Sequence, residues 1–449
     1  MSQLLLSFYG DDLTGSTDAM EALNLAGLRT ALFLKPATAS QLVRLSAHGP
    51  LRALGLAGTS RSETPQWMDM HLPAAFSWLK EQGAAICHYK VCSTFDSAPQ
   101  VGNIGRALEI GARTFEQKVV PIVVGVPQLK RYTVFGQLFA TLNGSTYRID
   151  RHPVMSRHPV TPMAEADLRL HLAAQTAAPV GLVDWLTLKS GEADAAVDRA
   201  MHADGPAIQG LLLDVPDTET QARVGRQLWR HRKDGAGLFT VGSSGVEYAL
   251  VDAWRVAGLL TNQPGAPTEV GAVDQIAVVS GSCSEVTGRQ IQKAGELGFA
   301  LLPVDGARLA SRSQGDAEQM RVLALAAKAL DAGQSVIAYT AMGPDSMAPR
   351  LDDAEPHAIG RRLGRLLRDM VAHAGLKRAV VAGGDTSSHA LRELDVFALT
   401  VAMPLPRTPG SPLCTAHSDN DAFDGLQVAL KGGQIGAEDY FAAIREGRR

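Results

Sequence analysis

At 449 residues the chain exceeds one ordinary hydrophobic core and suggests two domains. With 45% hydrophobic and 20% charged residues it reads as an ordinary soluble globular protein; a formal net charge of -3 and a pI near 6.5 leave no basic stripe for nucleic acid and favour a small-molecule partner. Cys87, Cys92, Cys283 and Cys414 are scattered without a CxxC pair, so neither a disulfide nor a zinc site is expected, and the usage fits a reducing cytoplasm.

The first strand is expected over residues 4–9, an apolar run that empties into Gly10-Asp11-Asp12-Leu13-Thr14-Gly15 ahead of a helical pattern over 16–26. That run spans about six residues, has no basic segment before it and is followed by acids, so it is read as a strand and not as a signal peptide or membrane span. Further β-type runs lie at 30–34, 52–57, 86–91, 121–125, 210–214 and 237–241, with a helical pattern at 102–112. An irregular stretch over 147–162 carries Arg148, Asp150, Arg151, His152, Arg157 and His158 among prolines, a density of polar donors suited to an anionic ligand. The Pro- and Gly-rich stretch over 260–273 lacks an apolar period and reads as a linker between domains at 1–259 and 274–449. Beyond it, strands expected at 275–280, 299–303, 335–339, 378–382 and 396–402 alternate with helical patterns such as 286–297 and 386–394. The fold class is therefore α/β, two domains, each with a mostly parallel β-sheet flanked by helices.

In such sheets ligands bind at the carboxyl ends of the strands, where several motifs fall. Asp11 and Asp12 admit three roles there: a helix cap, a ligand for Mg²⁺, or a general base toward a hydroxyl. A haloacid-dehalogenase phosphatase would need Asp-x-Asp at this place, and the adjacent acids weaken that reading. After another strand, Lys90-Val91-Cys92-Ser93-Thr94-Phe95-Asp96-Ser97 precedes Gly102-Asn103-Ile104-Gly105 at a helix start. Lys90 and the hydroxyls could grip a carboxylate and neighbouring hydroxyls of a small polar substrate, with Arg61 completing an anion pocket; the plainer reading is a solvated lysine and ordinary caps. Strand, Gly/Ser loop and helix recur at 241–245, 280–284 and 383–387, and Lys431-Gly432-Gly433-Gln434-Ile435-Gly436 follows late in the chain. Strand-to-helix turns favour small residues for conformational reasons alone, yet two such loops in one domain point to phosphate on free helix N–H groups. There is no GxxxxGK[ST] or GxGxxG motif, and His71, His88 and His389 show no HxxxH or HExxH spacing, so metal-hydrolase readings have no support.

Taken in order, the opening GDDLTG, the Lys90 to Thr94 segment with GNIG, SGSCSEVTGRQI, GGDTS at Gly383 to Ser387, Pro409-Gly410-Ser411-Pro412 and the terminal KGGQIG resemble the four-carbon acid sugar kinase family over nearly the whole chain. The resemblance implies that 1–259 binds a sugar acid and 274–449 binds ATP, with Mg²⁺ bridging its phosphates and phosphoryl transfer in the interdomain cleft. By matching position it puts Asp11, Asp12, Arg61, Lys90, Ser93 and Thr94 at the acid, with Asp12 or Asp11 in the catalytic role; Asn103 is also expected there, and the stretch with Arg148 and Arg157 is expected to help hold the carboxylate. Ser280, Ser282, Gly383, Gly384, Asp385, Thr386, Ser387, Gly432 and Gly433 would face the nucleotide, and no residue is assigned to a protein-held metal.

One departure bears on the substrate. The family commonly has Lys-x-Asp-Ser-Thr-x-Arg-Gly ahead of its Asn; here an acid has become Cys92, the Arg position holds Asp96, and the loop is longer. The leading expectation is an ATP-dependent kinase that phosphorylates a terminal hydroxyl of a four-carbon acid such as 3-oxo-tetronate, giving its 4-phosphate in carbohydrate catabolism. A branched acid such as 3-oxo-isoapionate is the alternative substrate, because changed charge in a substrate loop changes what is accepted. A non-catalytic sugar-acid sensor and a phosphatase are the readings from other classes. The expected setting is cytoplasmic with no membrane partner, and a homodimer is left open.

Overall fold

A computed structural model describes residues 4–448 except 48, 203–207, 234, 261–269, 344–353, 355, 356 and 409, and gives the backbone but not the side chain of Asp385. Most of the linker expected at 260–273 lies outside the described residues. The chain gathers into two units, Met1–Ala31 with Lys35–Gly265, and Leu32–Leu34 with Ala266–Arg449.

In the first unit, β1 (Leu6–Gly10) leads into α1 (Leu13–Leu25), followed by β2 (Thr30–Phe33), whose last two residues are counted with the second unit, and then by β3 (Ala53–Ala57), β4 (Ile86–Lys90), α2 (Ile104–Thr114) and β5 (Val120–Val123). A separate antiparallel sheet of β6 (Arg131–Val134), β7 (Gln137–Leu142) and β8 (Ser145–Arg148) comes next. The main sheet is completed by β9 (Val180–Val183), β10 (Gly210–Leu213) and β11 (Leu238–Gly242), with α3 (Thr218–Arg230) before β11 and α4 (Gly245–Val256) after it. Its strands run β3-β1-β4-β11-β5-β10-β9, all parallel, with β2 beside β3. Every residue of β1, β4 and β11 is buried, as befits strands covered on both faces. Tyr9, Phe76, Tyr89 and Phe239 pack there with ring centroids 5.2 to 5.8 Å apart.

The second unit begins with β12 (Ala277–Ser280), α5 (Glu285–Glu296), β13 (Ala300–Pro303) and β14 (Val336–Tyr339). After these come β15 (Arg378–Ala382), α6 (Gly384–Glu393), β16 (Val396–Met403), β17 (Leu413–Ser418) and β18 (Gln427–Lys431). Strand order is β13-β14-β12-β15-β18-β17-β16, parallel as far as β18 and antiparallel through β17 and β16. Ile276, Val278, Ile291, Ile337, Val380 and Phe441 stand in its core. The strands expected from sequence are found within a residue or two of their bounds, and the α/β class holds in both units. The small sheet β6 to β8 and the strands β9, β17 and β18 are additions. Residues 137–148 carried a hairpin signal that the strand-and-helix reading passed over: Asn143 and Gly144 both adopt positive φ, +49° and +83°, as a tight two-residue turn requires. No described helix is long and apolar enough to cross a membrane.

Helices α3 and α4 meet closely enough that a Cβ on Gly225 would lie 1.8 Å from the Ala249 carbonyl oxygen. Gly225→Ala therefore has to push two helices apart, an overpacking cost of about 1–3 kcal/mol or more, set against a helix-propensity gain of about 1 kcal/mol. The expected result is a lower unfolding midpoint in thermal or urea melts; an unchanged or raised midpoint would contradict this packing.

Candidate active site

Three neighbouring parallel strands of the first unit end level with one another, since Gly10 pairs with Ala57 on one side and with Lys90 on the other. The chain then turns sharply at Gly10, where any Cβ would lie 1.9 Å from Ser16 Oγ. The backbone of Asp11 is held from two sides: its N–H donates to Lys90 O at 2.9 Å and its carbonyl accepts from Arg61 N at 3.1 Å. Asp12 caps α1 through Oδ1, which accepts from Gly15 N at 2.5 Å. Its other oxygen accepts from Arg61 Nη1 at 3.0 Å. The remaining arm of Arg61 reaches Asp96, whose two oxygens lie 3.0 and 2.8 Å from Nη2. One guanidinium thus bridges two carboxylates through separate arms of its planar fork.

Asp96 has a fully buried side chain and accepts further bonds from Thr94 Oγ1 at 2.5 Å and Thr161 Oγ1 at 3.1 Å. Burial alone would raise its pKa, but the Arg61 charge and the bonds from Thr94, Arg61 and Thr161 together hold it below the ordinary carboxylate value. Lys90 is equally buried, with Nζ 3.6 Å from Asp18 Oδ2. Burial opposes its charge, yet Asp18, Asp11, Glu247 and Cys92 leave its pKa above the ordinary value. Next along β4, His88 is also buried, with Nδ1 2.7 Å from Glu247 Oε1 and Nε2 3.1 Å from Gly242 O. Asp11 differs from all of these. Its Oδ1 is buried without a hydrogen-bond partner, and burial first, then the Asp12 charge, push its pKa up to about 7 against the pull of Arg61 and Lys90. A Cβ on Gly15 would come within 2.8 Å of Asp12 Oδ1, 3.1 Å of Lys90 Nζ and 3.8 Å of Asp11 Oδ1, so the missing side chain keeps the space over these three groups open.

The second unit repeats the device. Ser280 pairs with Ala382 and Ala382 with Lys431, so β12, β15 and β18 end level and their following loops converge. Gly383 N donates to Lys431 O at 2.8 Å, and Gly281 N to Ala382 O at 3.1 Å. Gly383 holds φ +117°, a conformation only glycine adopts readily, and neither α5 nor α6 has a side-chain cap. Their first N–H groups are therefore available to an anion. Ser280 Oγ accepts from Ser282 N at 3.4 Å, Ser282 Oγ from Ser284 N at 3.2 Å, and Ser284 Oγ is buried without a partner. Gly433 packs over this turn, where a Cβ would meet Ser282 Oγ at 2.7 Å, and Thr386 Oγ1 lies beside Gly281 and Gly383. Ser387 Oγ donates back to Gly383 O at 2.8 Å. Gly384 opens α6 and is exposed, Thr386 and Ser387 behind it are buried, and the Asp385 side chain lies outside the described residues.

The expected acid-binding residues fall into two groups. Asp11, Asp12, Arg61, Lys90 and Thr94 come together, with Ser93 half-buried beside Thr94. Asn103 instead caps α2: Oδ1 accepts from Arg106 N at 2.6 Å, while Nδ2 donates to Pro99 O at 3.1 Å and Gln175 O at 3.3 Å. Arg148 is paired with Asp150 at 2.5 and 2.7 Å, and Arg157 is exposed at the end of a short 3₁₀ turn. The 147–162 stretch reaches the corner through Thr161 on Asp96, not through either arginine among the described contacts. Asp96, Thr161, Ser284 and Lys431 were not singled out from sequence as site residues. The loop at 241–245, the third candidate phosphate cradle, packs against β5, with Ser243 Oγ donating to Val124 O at 2.7 Å. A cavity of about 370 Å³ opens at the other ends of β15 and β18, but Arg378 on its wall donates to Gln427, Ile444, Arg445 and Gly271 oxygens and acts as a staple.

Two family models match the chain, one described as a sugar-binding N-terminal domain over residues 6–250 and one as a nucleotide-binding C-terminal domain over 277–441. The chain is 47% identical over 456 residues to a 3-oxo-isoapionate kinase of Paraburkholderia graminis, a match covering 99% of this chain and 95% of that one. It is 31% identical to a 3-oxo-tetronate kinase of Methylobacterium radiotolerans over 98% of each chain. A solved structure from Salmonella typhimurium LT2 superposes with a TM-score of 0.77 at 25% identity over the whole of both chains.

With a pKa near 7 against the usual 3.8, folded Asp11 holds a proton that the unfolded chain has released. Its contribution to stability is thus full below about 4 and is lost as pH rises through about 7. The unfolding free energy of Asp11→Asn relative to the parent, followed by urea melts, should rise from pH 5 to pH 7 and level off above; a difference independent of pH would show that Asp11 ionises normally.

Proposed function

The chain belongs to the four-carbon acid sugar kinase family, and from that premise we propose that it transfers a phosphoryl group from ATP to a terminal hydroxyl of a branched 3-oxo sugar acid of the 3-oxo-isoapionate type. The observation that carries the site assignment is the Asp12–Arg61–Lys90 corner, carboxylate and cations together at the level ends of β1, β3 and β4. The choice of a branched acid rests on the 47% identity to a 3-oxo-isoapionate kinase, against 31% to a 3-oxo-tetronate kinase, and so favours the reading that sequence motifs alone had placed second. A linear 3-oxo-tetronate is the competing substrate.

In this reading Arg61 and Lys90 hold the carboxylate and oxo groups of the acid. Arg61 does so from a fixed pose, because Asp96 anchors one of its arms and Asp12 the other. Asp12 is the accessible member of the acid pair, with its side chain 32% exposed, and it orients and deprotonates the attacking hydroxyl. Asp11 stands behind it and sets the charge of the pair. Phosphoryl transfer asks mainly for positioning and neutralisation of charge. The bare N-termini of α5 and α6, with the hydroxyls of Ser280, Ser282 and Thr386, are the groups suited to the phosphates of ATP. No residue of this chain is assigned to the Mg²⁺ that would accompany ATP. When bound, that ion would offset the negative charge of the phosphates.

A coupled ADP-release assay with a panel of 3-oxo-tetronates and branched 3-oxo acids tests the substrate, with turnover expected to be fastest on a branched acid; a linear acid turning over faster would reverse the choice. Asp12→Asn keeps a residue able to cap α1 but removes the base, and kcat is expected to fall about 100-fold or more. Below about pH 7 Asp11 takes up a proton and the pair loses one negative charge, so kcat/KM should decline on that side. That limb should vanish in Asp11→Asn, and its persistence there would assign the titration to another group.

A further inference from the structure

Lys431 ends β18 and is 1% exposed. Its Nζ donates to Thr287 Oγ1 at 2.9 Å and to Gly432 O at 2.9 Å, with a longer contact to Gly433 O at 3.4 Å. Those three neutral acceptors match the three protons of an ammonium. Thr287 Oγ1 in turn donates to Gly433 O at 2.9 Å, so lysine, threonine and the glycine turn form one connected ladder. What the ladder lacks is an anion. No carboxylate is paired with Lys431 among the described residues, and burial alone pushes its pKa down to about 8, with no opposing acid. The other buried lysine of the chain, Lys90, has Asp18, and even the part-exposed Arg61 has two carboxylates. A buried cation without a counter-charge is costly.

The surroundings indicate what brings the missing charge. The turn that Lys431 holds sets Gly433 against Ser282 and Ser284, at the level ends of β12, β15 and β18. Ser284 Oγ is buried there with no partner, and it belongs to the turn that opens the uncapped helix α5. On the other side Lys431 Nζ lies 5.9 Å from the Tyr440 ring, so the space behind it is occupied. An anion seated on the free N–H groups of α5 would answer the unpartnered hydroxyl and the unpaired ammonium together.

We propose that Lys431 is the positioning residue of the nucleotide site: its ammonium fixes the Gly432–Gly433 turn against Ser282 and Ser284, and its charge is balanced by the phosphates of the bound nucleotide. This rests on the reading of the 280–284 and 383–387 loops as the phosphate-binding loops. Lys431 is not placed in contact with phosphate, since its three protons are already engaged; it acts through the turn and through its field.

The test is calorimetric titration of the full chain with adenosine, Mg·ADP and Mg·ATP, comparing the parent with Lys431→Met. Adenosine separates the two ways a substitution could act, because a general loss of the fold weakens binding of the nucleoside along with that of the phosphates. The expected result is unchanged adenosine affinity, with Kd for Mg·ADP and Mg·ATP raised about tenfold or more, and KM for the sugar acid unaltered. Equal losses for all three ligands, or no loss for Mg·ATP, would overturn the proposal. Thr287→Val carries the test should Lys431→Met fail to fold: it keeps the charge but breaks the ladder to Gly433, and unchanged affinity for Mg·ATP relative to adenosine would likewise overturn it. If the parent itself binds Mg·ATP no better than adenosine, the reading of the loops falls, and this inference with it.

Discussion

Both candidate sites depend on one constraint, the in-register hydrogen bonding of parallel strands. When Gly10 is paired with Ala57 and Lys90, and Ser280 with Ala382 and so with Lys431, strands distant in sequence end at the same height. Each strand must then hand over to a loop and usually a helix, and the loops have nowhere to go but toward one another. Helix N-termini, acids, hydroxyls and lysines are gathered by this geometry before any ligand is considered. Glycine supplies the rest, since a Cβ would collide with Asp12 at Gly15, with Ser282 at Gly433 and with the first turn of α1 at Gly10.

Within that frame charge is distributed unevenly. Arg61 is anchored by Asp12 and Asp96, and Asp96 by Arg61, Thr94 and Thr161, so this part of the corner is held in place without a ligand. Two groups are left unbalanced: Asp11, with an unpartnered oxygen, in the first unit, and Lys431, with no acid beside it, in the second. Buried polar groups elsewhere in the chain mostly find partners, as His88 does between Glu247 and Gly242. Incomplete satisfaction is destabilising, and it also occurs elsewhere, at Trp254 Nε1 and Arg52 Nε for example; what distinguishes Asp11 and Lys431 is that the unbalanced group is ionisable and sits at strand ends that carry glycine turns.

The departure noted in the 90–97 loop acquires a physical meaning in the structure. Asp96, the acid of that loop, has a buried carboxylate that anchors Arg61. Cys92, in place of an acid, accepts from Thr94 Oγ1 at 3.0 Å, and its sulfur joins Asp96, Asp11 and Asp12 in favouring the Arg61 charge. Thr161 shows how the 147–162 stretch takes part: a short hydroxyl locks the anchor, while Arg148 is occupied by Asp150 and Arg157 stands exposed. A count of basic residues could not have separated these roles, because it registers charge and not what already neutralises it.

Sequence by itself determined the α/β class, the order of most strands and helices, and the clustering of small and acidic residues at strand ends. Periodicity and glycine placement are local properties, and they survive without knowledge of what packs against them. Only the tertiary structure decided which titratable groups are buried, which are paired and which are left over. Asn103 in a helix start reads alike as cap or ligand until Pro99 and Gln175 are seen to accept from its amide. Lys431 is, in the sequence, only the first residue of a glycine-rich motif; its burial is seen once β18 is placed beside β15. Burial and pairing are set by neighbours distant in sequence, and no single-chain pattern encodes them.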